Sequence, residues 1–337
     1  MAAEDKKIEL EIGHVLFVDI VGYSKLLINE QGELLEHLKA GKWGSGWGQG
    51  VGQGANLDSS GAHRRTAARR DFGSACHLNA RLAHTYESVR QGQDAIRIDE
   101  RIKALVPGDD CPDGAIARAK FRLSGLLEPL REFVSGDLKG VPPDEVALER
   151  YQLAVLERDY PAAERLLRDL SAEFEWPELA FGHTRSVNEA LLAVARGAEA
   201  GTVESALVAA RAETEKLLAA HPENFQLHGE LGLIDALRGR KEDAIREGRR
   251  WFELEKTPTL EKNAAEANLA LIYARVGEPD KAIELIEKLL TLPSILSTMW
   301  DSCMTQADLK WRWVWDPLRS DPRFQKTLEG PEPKTVY

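Results

Sequence analysis

Several groups of residues in this 337-residue chain carry side chains able to bind metals or move protons. Cys76, His77 and His84 fall in one short stretch, with the two imidazoles seven residues apart on what reads as a single helix. A zinc site needs three or four converging ligands at regular spacing, and no third and fourth ligand follow; Ala83 and Tyr86 already explain that helix as packing residues. His221 and His228 repeat the spacing but straddle Pro222, a helix boundary, and read as incidental. Carboxylates are abundant, yet they alternate with Lys and Arg, as in Arg238-Gly239-Arg240-Lys241-Glu242-Asp243. That is the pattern of a solvated helix face, not of a paired acid and base. No nucleophile motif anchors a Ser, His and Asp arrangement. The glycines between 41 and 54 lack the Gly-Lys-Ser/Thr ending and the leading strand of a phosphate cradle.

Asp19 is the remaining candidate, and its setting is more specific. Residues 8–20 pass from alternation into a nearly continuous β-branched and aromatic run, the pattern of a buried strand. Val21-Gly22-Tyr23-Ser24 makes a turn, and Leu26, Leu27, Leu34, Leu35 and Leu38 form a helical stripe with Ser24 available as its cap. The run His14-Val15-Leu16-Phe17-Val18-Asp19-Ile20-Val21-Gly22-Tyr23-Ser24 resembles the first strand and turn of a class III adenylate/guanylate cyclase domain. The resemblance implies that Asp19 binds the catalytic metal ions with help from the Ile20 carbonyl. It also implies that Val21, Gly22, Tyr23 and Ser24 lie against a nucleotide triphosphate. Mg²⁺ takes carboxylate oxygens and polarises phosphate, so the chemistry is consistent.

The resemblance stops near residue 38. No later Gly-Asp hairpin supplies a second carboxylate, no purine-selecting Lys and Asp pair is identifiable, and no Asn stands four residues before an Arg. One metal ligand without a transition-state stabiliser forfeits most of the rate enhancement. The expectation is a catalytically incomplete strand-turn-helix remnant at 1–40, no cofactor, and a chain that is not an enzyme. The alternative is a nucleotide cyclase or cyclase-like signalling regulator that completes its site with an intact partner subunit and then requires Mg²⁺. Residues 41–70, rich in glycine and arginine, read as a mobile linker, and His63–Arg70 as a solvated basic run.

Beyond residue 71 the pattern is helix after helix. Ala83, Tyr86, Ala95 and Pro107 place small, aromatic, small and proline residues at steps of 3, 9 and 12. Two later units align at a constant offset of 38, pairing Gly232, Gly239 and Ala244 with Ala270, Gly277 and Ala282, and Tyr273 follows in the second. Weaker copies begin near Tyr151 and Ala190. The recurrence resembles the tetratricopeptide repeat, which implies helical hairpins stacked as a solenoid, with small residues where helices approach closely. Arg90 and Arg158 depart from the pattern, standing where a small residue usually makes the inter-helix turn. The fold expected is mainly α: repeats over 71–310 and a Trp-rich cap and tail over 311–337, the cap covering the apolar end of the last repeat as solenoids require.

The formal net charge of −11 excludes sequence-independent binding of nucleic acid. Three dispersed cysteines give no disulfide framework and point to a reducing, cytoplasmic setting. No apolar run is long enough to span a membrane. The partner expected is a protein or peptide, with room for dimerisation.

Overall fold

The computed structural model describes residues 83, 85–105, 111–136, 138, 141, 143–171, 183–256, 260–293 and 304–332. The expected strand-turn-helix at 1–40, the linker at 41–70, Cys76, His77, His84 and Pro107 lie outside them. Among the described residues the chain is helical without strands, and no helix is long and apolar enough to cross a membrane.

Its helices are α1 (Gly92–Leu105), α2 (Cys111–Ser124), α3 (Glu128–Ser135), α4 (Pro143–Leu156), α5 (Tyr160–Asp169), α6 (Arg185–Ala195), α7 (Ala200–Ala220), α8 (Gln226–Leu237), α9 (Lys241–Leu254), α10 (Leu260–Arg275), α11 (Pro279–Leu289), α12 (Gln306–Trp311) and α13 (Pro322–Glu329). A 3₁₀ segment, Trp313–Leu318, joins the last two. Helical residues 85–88 precede α1.

Among the described residues six turns organise the array. Arg90, Gly125, Arg158, Gly197, Gly239 and Gly277 have positive φ, and each separates the two helices of a hairpin. At five of them the following amide donates back across the turn: Gln91 to Tyr86, Asp159 to Ala154, Ala198 to Ala193, Arg240 to Asp235 and Glu278 to Tyr273. This left-handed cap satisfies carbonyls that the helix end leaves orphaned. Four turns are followed five residues later by an alanine, Ala95, Ala163, Ala244 and Ala282, and all four are fully buried. A methyl there is what lets the second helix lie close to the first.

Close approach is tightest between α8 and α9. A side chain added at Gly232 would bring its Cβ to 2.7 Å from Ile272 Cδ1 and 3.0 Å from the Ala244 carbonyl oxygen. Gly232 therefore opens the space that the Ile272 side chain and the α9 backbone at Ala244 and Gly248 occupy, and Ala270 and Ala282 stand fully buried at the corresponding positions one hairpin later. Tyr273 is buried at the last turn of α10, and Tyr86 is half-buried before Arg90.

Consecutive helices pack pairwise, and α8 also packs on α10 across α9. Two kinds of helix result. The second helices bury a narrow stripe, as in α9, where Ala244, Gly248 and Trp251 are covered, Ile245 and Phe252 are partly so, and the opposite face is exposed. The first helices bury nearly everything: α8 from Gly229 to Ala236, and α10 from Ala267 to Ala274. Such helices need cover on both sides.

The close contact gives a direct check. Ala244→Trp and Ala282→Trp each overpack a dense interface and should destabilise the chain by about 1–3 kcal/mol or more. Thermal melts of both variants within a degree of the parent would show that these alanines are not at the helix contact.

Candidate functional site

Cover for the first helices α2 and α10 comes from the C-terminal residues 304–332. Met304, Leu309, Trp315, Leu318 and Phe324 are buried in one continuous apolar cluster with Phe121, Tyr151, Leu191, Leu233 and Leu271. The module thus does more than close the last hairpin. Its 3₁₀ segment packs on α10, α12 packs on α2, and α13 packs on α11.

Polar contacts pin it at sites far apart in sequence. Trp311 Nε1 donates to the Gly125 carbonyl at 2.8 Å. Arg275 donates to the carbonyls of Val314 and Trp313 at 2.8 and 2.6 Å, and its guanidinium lies 4.6 Å from the Trp313 ring centre. Burial pulls the Arg275 guanidinium down to about 10, opposed by the nearby Asp316 and Tyr160. Arg158 grips both oxygens of Asp316 at 2.8 and 2.7 Å, and Arg319 adds a third bond at 2.6 Å. Burial pushes the Asp316 carboxyl up, but these hydrogen bonds hold it below its ordinary value. Arg323 reaches Asp280 at the start of α11.

The two turn arginines have a distinct use here. A non-glycine residue in the left-handed region carries strain of about 1 kcal/mol, yet Arg90 and Arg158 adopt φ of 64° and 61°. In exchange, each side chain reaches the C-terminal region. Arg90 donates to the carbonyls of Leu292 and Leu289 at 2.8 and 2.9 Å and to Glu332 at 2.9 Å. Glycine satisfies the turn better but reaches nothing.

A second polar group lies inside the array. The Glu230 carboxylate is fully buried, accepts from Thr214 at 2.7 Å and from the His183 backbone at 3.0 Å, and pairs with the His183 ring at 2.9 Å. Burial raises its pKa, but the His183 and Thr214 bonds together hold it below the ordinary value. Asp235, on the same helix and also fully buried, is held by Arg211 at 2.9 and 3.3 Å. These pairs tie α8 to α7 and to the start of α6. The outer ring nitrogen of His183 has no hydrogen-bond partner among the described residues. Among those residues no cluster has the ligands for a metal ion. His228, read as incidental, pairs with Glu247 at 2.8 Å and joins α8 to α9.

Of the framework residues expected from sequence, Ala83, Ala95, Gly232, Ala244, Ala270, Tyr273 and Ala282 are buried at hairpin contacts, and Gly239 and Gly277 form turns. Asp19, Ile20, Val21, Gly22, Tyr23 and Ser24 lie outside the described residues. Sequence reasoning missed Arg275, Asp316 and Glu332. Their only signal is the excess of charge beside apolar runs, and nothing local pairs residues so far apart.

Glu332 accepts from the Gln306 amide at 2.7 Å as well as from Arg90. A cavity of about 20 Å³ beside it, lined by Arg90, Arg122 and Thr305, has room for one water molecule and no more. Burial raises the Glu332 carboxyl from its usual 4.5 to about 7, and burial with the Glu87 charge raises Asp99 to about 7.

Two predictions follow from these contacts. Arg158→Gly relieves a strained turn and loses only a half-exposed pair worth about 0–1 kcal/mol, so its melting temperature should stay near the parent's. Arg90→Gly removes the guanidinium and takes this donor from the Glu332 carboxyl and the Leu289 and Leu292 carbonyls, and should cost about 3 kcal/mol; equal effects would contradict the assigned contacts. For the raised carboxyls, the folded state binds more protons than the unfolded between pH 4.5 and 7. Their contribution is therefore complete below about pH 4.5 and is lost as pH rises to about 7. Glu332→Gln should flatten the fall in melting temperature over that window, and an unchanged slope would assign the titration elsewhere.

Comparison with known proteins gives one family. Residues 265–298, which take in most of α10 and all of α11, match the model of the tetratricopeptide repeat. No curated protein matches the chain. The sixth hairpin is thus similar in sequence to a tetratricopeptide repeat, and the mainly helical fold of the described residues is consistent with a solenoid of that kind.

Proposed function

We propose that this chain is a protein-interaction scaffold that takes up a segment of a partner protein and has no catalytic activity of its own. The observation that carries the reading is the tetratricopeptide match over the sixth hairpin, in an array where other hairpins repeat its left-handed turn and packing alanine. Stacked hairpins spend their invariant residues on contacts with one another and present the remainder as an extended surface. A protein or peptide suits such a surface, and the net charge of −11 disfavours a nucleic acid. The cyclase-like stretch at 1–40 is, on this reading, an incomplete remnant that needs no metal, and the setting is the cytoplasm.

The cyclase alternative keeps a specific observation in its favour, the run from His14 to Ser24 that ends a strand on Asp19. A lone carboxylate holds Mg²⁺ weakly, and nothing identified in the chain aligns a ribose hydroxyl with an α-phosphate.

Affinity capture with the full chain from its native cell separates the readings. A partner protein retained in fixed stoichiometry, with no cyclic nucleotide formed from ATP or GTP in Mg²⁺ or Mn²⁺, is the expected result. Asp19→Ala should leave both properties unchanged. Nucleotide cyclisation that disappears in Asp19→Ala, with no protein retained by the array, would overturn the scaffold reading.

A further inference from the structure

The first-helix layer already has an occupant, the chain's own residues 311–319, and it is held in a way that differs from the helix-to-helix contacts. Arg275 reads two consecutive main-chain carbonyls and stacks on an aromatic ring, features that many peptides offer. Arg158 takes a carboxylate with both prongs, and the pair is accessible to solvent, with side chains 42% and 37% exposed. Between these two anchors Trp315 is almost completely buried, yet its indole N–H meets no acceptor among the described residues, and Arg312 Nη2 is likewise without one. Arg275 is half-buried, with no carboxylate at ion-pair distance among those residues. A buried donor left unmade loses its hydration without replacement, which weakens the seating of the segment that carries it.

The occupant is therefore well shaped and incompletely satisfied. A segment from another protein with the same outline and fewer stranded groups would fit better. It needs an aromatic ring for Arg275, a large apolar side chain without an N–H two residues later, and a carboxylate next in sequence for Arg158. We infer that the surface formed by Arg158, Arg275 and the apolar site of Trp315 is a docking site for a short aromatic and acidic segment of a partner protein, which competes with residues 311–319 for it. The inference rests on the protein-binding reading and names where and what the scaffold binds.

A labelled peptide of residues 306–320 carrying Trp315→Phe tests it by fluorescence anisotropy against the full-length parent and against full-length Asp316→Ala, whose own segment has lost its anchor. Expected is binding to Asp316→Ala at least about tenfold tighter than to the parent, reduced about tenfold when the peptide itself carries Asp316→Ala. No binding to either chain, equal binding to both, or indifference to the peptide aspartate would overturn the inference. Hydrogen exchange guards against a folding defect: in Asp316→Ala, amides of 304–332 should exchange faster while those of α8 and α9 keep the parent's rates. A module that exchanges no faster than α8 is permanent core, and the inference falls. The titration uses no native partner, so its failure is distinguishable from a failed capture.

Discussion

A helix that is apolar on every side has to be covered on every side, and this constraint governs the structure. From Gly229 to Ala236 helix α8 has no face for water, and α10 has none from Ala267 to Ala274. Second helices, with their single buried stripe, can shield only one side. For α8 the neighbouring first helix α10 closes the remaining side, and for α10 the 3₁₀ segment of the C-terminal module does; the buried tryptophans of that segment each contribute on the order of 1.5–3 kcal/mol of apolar burial. Without it the inner layer would present a large apolar surface, which soluble monomers rarely tolerate.

The departures from an ideal repeat become intelligible in that light. Arg90 and Arg158 occupy turn positions that favour glycine, and both side chains end on the C-terminal region. Local strain at the turns is exchanged for long-range contacts, so the first and third hairpins are tied to a segment that follows the sixth. The buried acids of α8 act over a shorter range. Glu230 and Asp235 fix the fourth hairpin to the fifth, where removing either base would leave an unpaired buried charge.

Much of the array was legible in the sequence because its signals are local. The fifth and sixth hairpins carry small residues at the same offset, with Gly232, Ala244, Ala270 and Ala282 buried in the helices and Gly239 and Gly277 in the turns. The hairpin of α2 and α3 escaped notice for an equally physical reason. Leu130 stands five residues after its turn, where four of the other five hairpins carry alanine, and Arg118 stands seven before it, where Ala83, Ala190, Gly232 and Ala270 are small. Its remaining marks, Phe121 and Gly125, form no pattern alone. The tryptophan-rich end was recognisable as an apolar cover for the last repeat, and it does pack there. Its reach to Gly125, Arg90 and Arg158 was not, because a contact between residues more than 150 positions apart leaves no periodicity to read.

The central claim is that the C-terminal module seals the inner layer by bonding back to the first hairpins. Its most direct test is a double-mutant cycle on Arg90 and Glu332, partners separated by 242 residues. Chemical unfolding of Arg90→Ala, Glu332→Ala and the double variant should give a coupling of about 1 kcal/mol or more, as expected for a buried pair in contact. Additivity within about 0.3–0.5 kcal/mol would mean the two side chains do not touch in solution, and would contradict the account.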